Sequence, residues 1–401
     1  MAITEYPPQK IPSPARLISV LGLTLVLCYL VVLGGSLMGG HWLFNGIGQP
    51  IANDFVNVWA AGRLALDGHA ASAYDWTVHR TMEVQAVGHS VNGYYGWHYP
   101  PTFLFVAMLL ATLPYTVAAV TWLAAMLPLY VAAVRAIVGE RAGILLALGS
   151  PAALWNVTAG QNGFLTAALI GGTLSLMERR PAWAGVCLGL LSYKPQFGLL
   201  FPSALRAGQR CRVIAAAAAT TVAMNALSWL AFGQESWQAF FAWMPTTGHI
   251  VLGEGGAGWN RLQSLFGFVR SHGGGEAFAW LVQATTALGL AAAMIWLWRG
   301  PRPLALKAAA LATASLLATP YVYTYDLVVL AIPVAFLVRL GLADGFLPGE
   351  GISLAIVVAL LLIYPYVATQ VGLGAVLIVA LLIARRLWAA PAGGTMALSA
   401  K

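Results

Sequence analysis

The chain has 401 residues, of which 60% are hydrophobic and only 8% charged. That balance excludes a soluble enzyme with one anchor, because apolar stretches long enough to cross about 30 Å of hydrocarbon recur from end to end. The formal net charge of +8 does not mark a nucleic-acid binder either, since most basic residues punctuate the ends of apolar segments.

Those residues are Lys10 and Arg16, Arg135 and Arg141, Arg179 and Arg180, Arg206, Arg210 and Arg212, Arg299, Arg302 and Lys307, Arg339, Arg385 and Arg386, and Lys401. They make 16 of the 21 basic residues, and the positive-inside rule assigns them to the cytoplasmic side. In chain order, the first apolar run covers residues 17–38. It is too long for the apolar region of a signal peptide and precedes no small-residue cleavage pattern, so an uncleaved first span is predicted. Backbone polar groups cannot go unpaired in lipid, so the spans should be helices.

Residues 39–98 then form a polar stretch predicted as the first external loop. It should carry two surface helices, over about residues 55–66 and 74–87, separated by Gly68 and roofing a cavity. From residue 100 to 141, Pro114 and Pro128 permit one tilted span or three short ones. An apolar segment over residues 143–155 is followed by Gly160-Gln161-Asn162-Gly163 and a second segment over 164–177. Another, starting at Trp183, breaks at Tyr193-Lys194-Pro195-Gln196 and resumes to Leu205. Pro195 removes a backbone donor and Lys194 cannot rest in hydrocarbon unpaired, so this break should line a cavity. A second external loop is predicted over 233–276. All seven histidines lie in the two loops, which contain only Arg63, Arg80, Arg261 and Arg270 as basic residues. The expectation is one membrane domain over residues 1–401, all-α and polytopic, with roughly ten to twelve crossings. Cys28, Cys187 and Cys211 show no metal or disulfide spacing.

Asp54 lies just beyond the first span, in Asn53-Asp54-Phe55-Val56-Asn57. A half-desolvated carboxylate can take a proton from a hydroxyl, and Asn57 would share its helix face. Helix capping explains an Asp at this place equally well. No adjacent second acid makes a D-x-D pair, so no divalent metal is implied. Asp67 and Asp75 read as solvated turn residues. In Trp97-His98-Tyr99-Pro100-Pro101 the aromatics suit an interfacial belt, and His98 either joins that belt or faces the cavity. Gln161 and Asn162 suit hydrogen bonds between helices or to sugar hydroxyls. Asn156-Val157-Thr158 matches a glycosylation pattern common enough to arise by chance. Lys194 offers a compact charge for a phosphate, with snorkelling to an interface as the alternative. Arg261 is either a second phosphate clamp or an exposed rim residue. Tyr325 and Asp326 open a late apolar segment, where Asp326 needs a partner; Lys194, Arg261 and His98 are the possibilities.

Taken in order, these residues resemble glycosyltransferase family 87. The resemblance rests on Asp54-Phe55-x-x-x-Trp59-Ala60-Ala61-x-Arg63 continuing to Gly68 and Tyr74, on Tyr99-Pro100-Pro101, and on Gly160-Gln161-Asn162. It continues in Ala184-Gly185-Val186-x-Leu188-Gly189 with Lys194-Pro195, and in the run from Pro320 to Asp326. It covers roughly residues 50–340; each motif is weak alone, and the five in sequence are specific. The resemblance implies a GT-C fold and a polyprenyl-phosphate sugar donor. It also implies inverting transfer of a mannose- or pentose-type sugar to a lipid or glycan of the cell envelope. Asp54 would then be the catalytic base. Lys194 and Arg261 would hold the donor phosphate, without a metal or other cofactor. Asn57, His98, Tyr99, Gln161, Asn162, Tyr325 and Asp326 would contact substrate. The expected site faces the periplasm from a bacterial cytoplasmic membrane, among membrane lipids and with no nucleic-acid partner. A transporter or flippase of polyprenyl-linked saccharide is the alternative, although paired repeats with matching broken helices are not evident. A non-catalytic scaffold would leave the one-sided polar residues unexplained.

Overall fold

The computed structural model describes residues 13–139, 141–256 and 258–389; Lys10 and Lys401 lie outside them. Helix α1 (Pro14–Met38) opens with Ser13, whose hydroxyl accepts from the Arg16 amide, and with proline in the first turn. It is apolar all round yet mostly exposed, as a helix at the edge of a bundle in lipid should be. Gly22 lets it approach the backbone at Leu145, and the Tyr29 hydroxyl donates to the Gly149 carbonyl at 3.1 Å.

A two-residue hairpin, β1 (His41–Trp42) and β2 (Phe44–Asn45), leads to α2 (Phe55–Leu66) and α3 (Trp76–Val87). Both helices agree closely with the sequence expectation. Helix α2 is not a simple surface helix, however, because nine of its twelve residues are buried. Gly62 brings it against the backbone at Ala107 in α4 (Leu104–Leu110), where no side chain would fit.

Between residues 100 and 141 the structure has one helix long enough to span, preceded by a short one. After α4, Pro114 caps α5 (Tyr115–Val138), which runs through Pro128 without ending. Proline at a helix start loses nothing, whereas inside a helix it forfeits one hydrogen bond. The helix-forming residues around Pro128 carry it through. The apolar run 143–155 is likewise two helices, α6 (Ala142–Leu148) and α7 (Pro151–Ala159), bent by 50° at Gly149-Ser150. The residue before a proline disfavours the helical region, and Ser150 is extended.

Helices α8 (Gly163–Leu176), α9 (Pro181–Leu190) and α10 (Phe201–Ala207) follow. The second polar stretch is largely helical. Helix α11 (Cys211–Gly248) continues past a kink at Gly233, whose φ of 76° favours glycine. The kink directs an aromatic stripe at the first polar segment, with the Phe240 and Tyr74 rings 5.8 Å apart. Short α12 (Leu265–Ser271) precedes α13 (Glu276–Arg299), α14 (Leu304–Leu317), α15 (Ala331–Asp344), α16 (Glu350–Ile363) and α17 (Val371–Ala389). Among the described residues, six helices are long and apolar enough to cross a membrane, or seven with the bent α6–α7 pair. The roughly ten to twelve expected crossings are reached only by counting shorter apolar helices of 10–17 residues. The fold is that of an all-α polytopic membrane protein.

Its two ends differ chemically. At one, Arg210 pairs with Glu178 at 3.4 Å, Lys307 donates to the Trp298 carbonyl at 3.2 Å, and Gly208 packs on Trp298. Helices α8, α9 and α14 connect these basic turns to the polar segments around Asn162, Lys194 and Asp326. At 1.5 Å per residue they separate the two ends by roughly 15–20 Å. Helix α14 is central, with eleven of its fourteen residues buried.

Candidate active site

Asp54 occupies the residue before α2, but its side chain makes no capping hydrogen bond. Asn53 does that work: its Oδ1 accepts from the Phe55 amide at 3.0 Å and from the Tyr115 hydroxyl at 3.1 Å. Two good capping residues stand side by side, and the first is used, which leaves the second, a carboxylate, for another role. Asp54 is half-buried, and its Oδ2 accepts from Gln161 Nε2 at 3.3 Å. Desolvation by the surrounding protein pushes its pKa from the ordinary carboxylate range up to about 6. The Gln161 hydrogen bond and the charges of Arg261 and Lys194 oppose that shift, while Asp326 adds to it.

Gln161 arrives there because the turn between α7 and α8 is packed onto the Asp54 segment. Gly160 has φ of 68°, and a Cβ on it would meet Phe55 Cβ at 2.9 Å and Asn53 Oδ1 at 3.0 Å. Gln161 Oε1 accepts from the Asn162 amide at 3.1 Å and from the Tyr99 hydroxyl at 3.3 Å. Asn162 Nδ2 donates to that hydroxyl at 2.7 Å. Tyr193 donates to the Asn162 carbonyl at 3.2 Å and shares a 2.6 Å hydrogen bond with Thr166. Tyr99, Gln161 and Asn162 are therefore gathered around Asp54. Asn156, by contrast, is fully buried with its Oδ1 bonded to the Gly163 amide at 2.9 Å. The glycosylation pattern there is inaccessible.

Gly163 then packs against the Tyr325 carbonyl, joining the start of α8 to a 3-10 helix over Thr324–Leu330. After α9, a 3-10 turn (Leu191–Tyr193) leads to Lys194, and a second (Pro195–Gly198) leaves it. Lys194 is buried and donates to Asp326 Oδ1 at 2.7 Å, so it does not snorkel. Of the three possible partners for Asp326, the structure selects Lys194. Asp326 Oδ2 also accepts from the Tyr323 amide at 3.1 Å, closing a capping box. Lys194 Nζ lies 5.4 Å from the centre of the Tyr325 ring.

Arg261 sits on an exposed 3-10 turn (Trp259–Arg261) and, among the described residues, its guanidinium has no ion-pair or hydrogen-bond partner. The following residues hold the turn against the segment at Tyr323: the Gln263 backbone N–H donates to the Val322 carbonyl at 2.7 Å, and Leu262 bridges Tyr323. His98 is exposed, its Nδ1 3.0 Å from Thr247 Oγ1 on α11. It marks the contact between the two polar stretches and has no bond to Asp54 or Asp326. Asn57, one turn after Asp54, is buried with an unpartnered Oδ1. Asn53, Tyr193 and Thr166 were not anticipated. Asn53 was legible as a competing cap; nothing local marks the other two. Among the described residues, no three His, Cys, Asp or Glu side chains are grouped as a metal site would need.

A comparison with curated proteins gives no match. The family model for glycosyltransferase family 87 matches residues 97–320, a range that contains Tyr99, Gln161, Asn162, Lys194 and Arg261 but not Asp54 or Asp326. That match covers more than half of the chain, which therefore belongs to glycosyltransferase family 87 and is a membrane glycosyltransferase.

Proposed function

We propose that the protein is an inverting transferase using a polyprenyl-phosphate sugar, of mannose or pentose type, with Asp54 as general base. The acceptor is a hydroxyl on a cell-envelope lipid or glycan, and the site opens to the periplasmic face of a bacterial cytoplasmic membrane. The observation carrying this reading is the state of Asp54. Its carboxylate is relieved of capping, raised to about 6, and within electrostatic reach of two cations. A base of that pKa is ionised at neutral pH yet basic enough to share a proton in a transition state.

In this reading Asp54 takes the proton of the acceptor hydroxyl as its oxygen bonds to the anomeric carbon. The carbon–oxygen bond to phosphate breaks on the opposite face, and its electron pair leaves with the polyprenyl phosphate. Arg261, whose guanidinium has no partner among the described residues, and Lys194, which keeps two ammonium donors beyond Asp326, stabilise that growing charge. No metal is required for these roles. Asn57, His98 and Tyr325 are the proposed contacts to sugar and acceptor, and Asp326 holds Lys194 in place.

The test is transfer by purified protein from polyprenyl-phosphate mannose and pentose donors, with wild type and Asp54→Asn compared. Loss of at least about 100-fold in turnover is expected on removing a general base. Undiminished turnover removes Asp54 from the mechanism. Absence of transfer by the wild type from either donor class would instead favour movement of lipid-linked sugar across the membrane.

A further inference from the structure

Three residues expected to contact substrate have their polar groups turned toward one another, and one of them, Gln161, toward Asp54. The orientation of the Gln161 amide follows from its backbone neighbour. The Asn162 backbone N–H can only donate, and it points at one end of the Gln161 amide from 3.1 Å. That end must be the oxygen, which fixes the amide orientation without ambiguity. The nitrogen end then faces Asp54 Oδ2 at 3.3 Å. Tyr99 accepts from Asn162 Nδ2 at 2.7 Å, so its own proton is directed to Gln161 Oε1 at 3.3 Å. Tyr99 is itself held by rings on two sides, with Phe103 at 4.9 Å and Trp97 at 5.0 Å between centroids.

The Asn162–Tyr99–Gln161–Asp54 chain is directional, and Gln161 and Asn162 are nearly fully buried. Both lone pairs of Gln161 Oε1 are occupied, and one of its two N–H groups is given to Asp54. Among the described residues, nothing donates to Asp54 Oδ1. We infer that Gln161, braced by Tyr99 and Asn162, is a positioning residue that pins Asp54 Oδ2 and leaves Oδ1 as the oxygen that takes the acceptor's proton. This rests on Asp54 being the base. It reassigns Gln161 and Tyr99 from sugar contacts to the apparatus that aims and tunes the carboxylate. A donor to the ionised form favours that form, so the amide also opposes the rise in pKa that burial causes.

The experiment measures the pH–rate profile of Gln161→Met and Tyr99→Phe in the full-length protein, with infrared titration of the Asp54 carboxyl band identified by difference from Asp54→Asn. Methionine keeps the length of the side chain, and phenylalanine keeps the ring packing, should the first variant fold poorly. Gln161→Met should move the acid limb upward by about one unit. At pH 6 its rate relative to its own plateau then falls about fivefold. The infrared pKa should move by the same amount, and Tyr99→Phe should move both by less. The donor KM should change by less than about twofold. An unmoved carboxyl pKa, or an unmoved limb with a raised donor KM, overturns the inference and returns Gln161 to sugar binding. If Asp54→Asn keeps full turnover, the base assignment has failed; the infrared titration still decides whether Gln161 sets the Asp54 pKa.

Discussion

The protein holds two carboxylates near its polar centre in opposite ways. Asp326 is almost fully buried and paired with Lys194 at 2.7 Å, with its second oxygen accepting from the Tyr323 backbone N–H. Asp54 is half-buried, is bonded to a neutral amide, and keeps one oxygen without a donor among the described residues. A carboxylate salt-bridged inside a protein is held to its cation, because losing either charge strands the other, so the task of a base falls to another. One with a neutral partner and a pKa of about 6 suits the task. The difference teaches that the two acids are told apart by what each is bonded to: a cation holds Asp326 in the structure, and a neutral amide leaves Asp54 available.

The largest effect should follow from breaking the buried pair. Lys194→Ala or Asp326→Ala leaves one charge buried and alone, costing about 3–5 kcal/mol of stability. Thermal unfolding in detergent should show this for both variants. Lys194→Met combined with Asp326→Leu should recover more than half of the loss, since a well-packed apolar pair replaces the ionic one. Single variants as stable as wild type would mean that the pair is solvated and that the contrast with Asp54 is misplaced.

Arg261 comes next. With no protein partner to strand, Arg261→Ala should leave stability nearly unchanged while raising the donor KM about tenfold, the worth of one charged hydrogen bond. An equal rise with a donor lacking phosphate charge would place Arg261 on the sugar or the acceptor. The smallest effect is the pH dependence. Only ionised Asp54 can accept a proton, so turnover should rise with pH and reach half its plateau near pH 6. Below that pH it should fall about tenfold per unit. A half-point near pH 4 would mean that the carboxylate is hydrated and untuned.

Much of this contrast was legible in the sequence. Asp54 and Lys194 stood out because a chain with few charges exposes each one, and the bounds of α2 followed from its patterning. The broken helix at Lys194 was announced by Pro195. The pairing of Lys194 with Asp326 was not legible: they are 132 residues apart, and Lys194, Arg261 and His98 were equally available to Asp326. Local propensity also failed to separate Asn53 from Asp54 as the cap, because the two are interchangeable there. The helical continuation beyond Gly233 was obscured by its polar residues. Its aromatic stripe makes sense only once Tyr74 is seen to receive Phe240.

The central claim is that Asp54 activates the acceptor and leaves donor binding to other residues. Single-turnover transfer by Asp54→Asn, with polyprenyl-phosphate sugar affinity measured on the same preparation, tests it most directly. The account predicts donor affinity within about twofold of wild type and transfer slowed at least about 100-fold. Transfer at the wild-type rate, or a slowed reaction explained wholly by lost donor affinity, would contradict it.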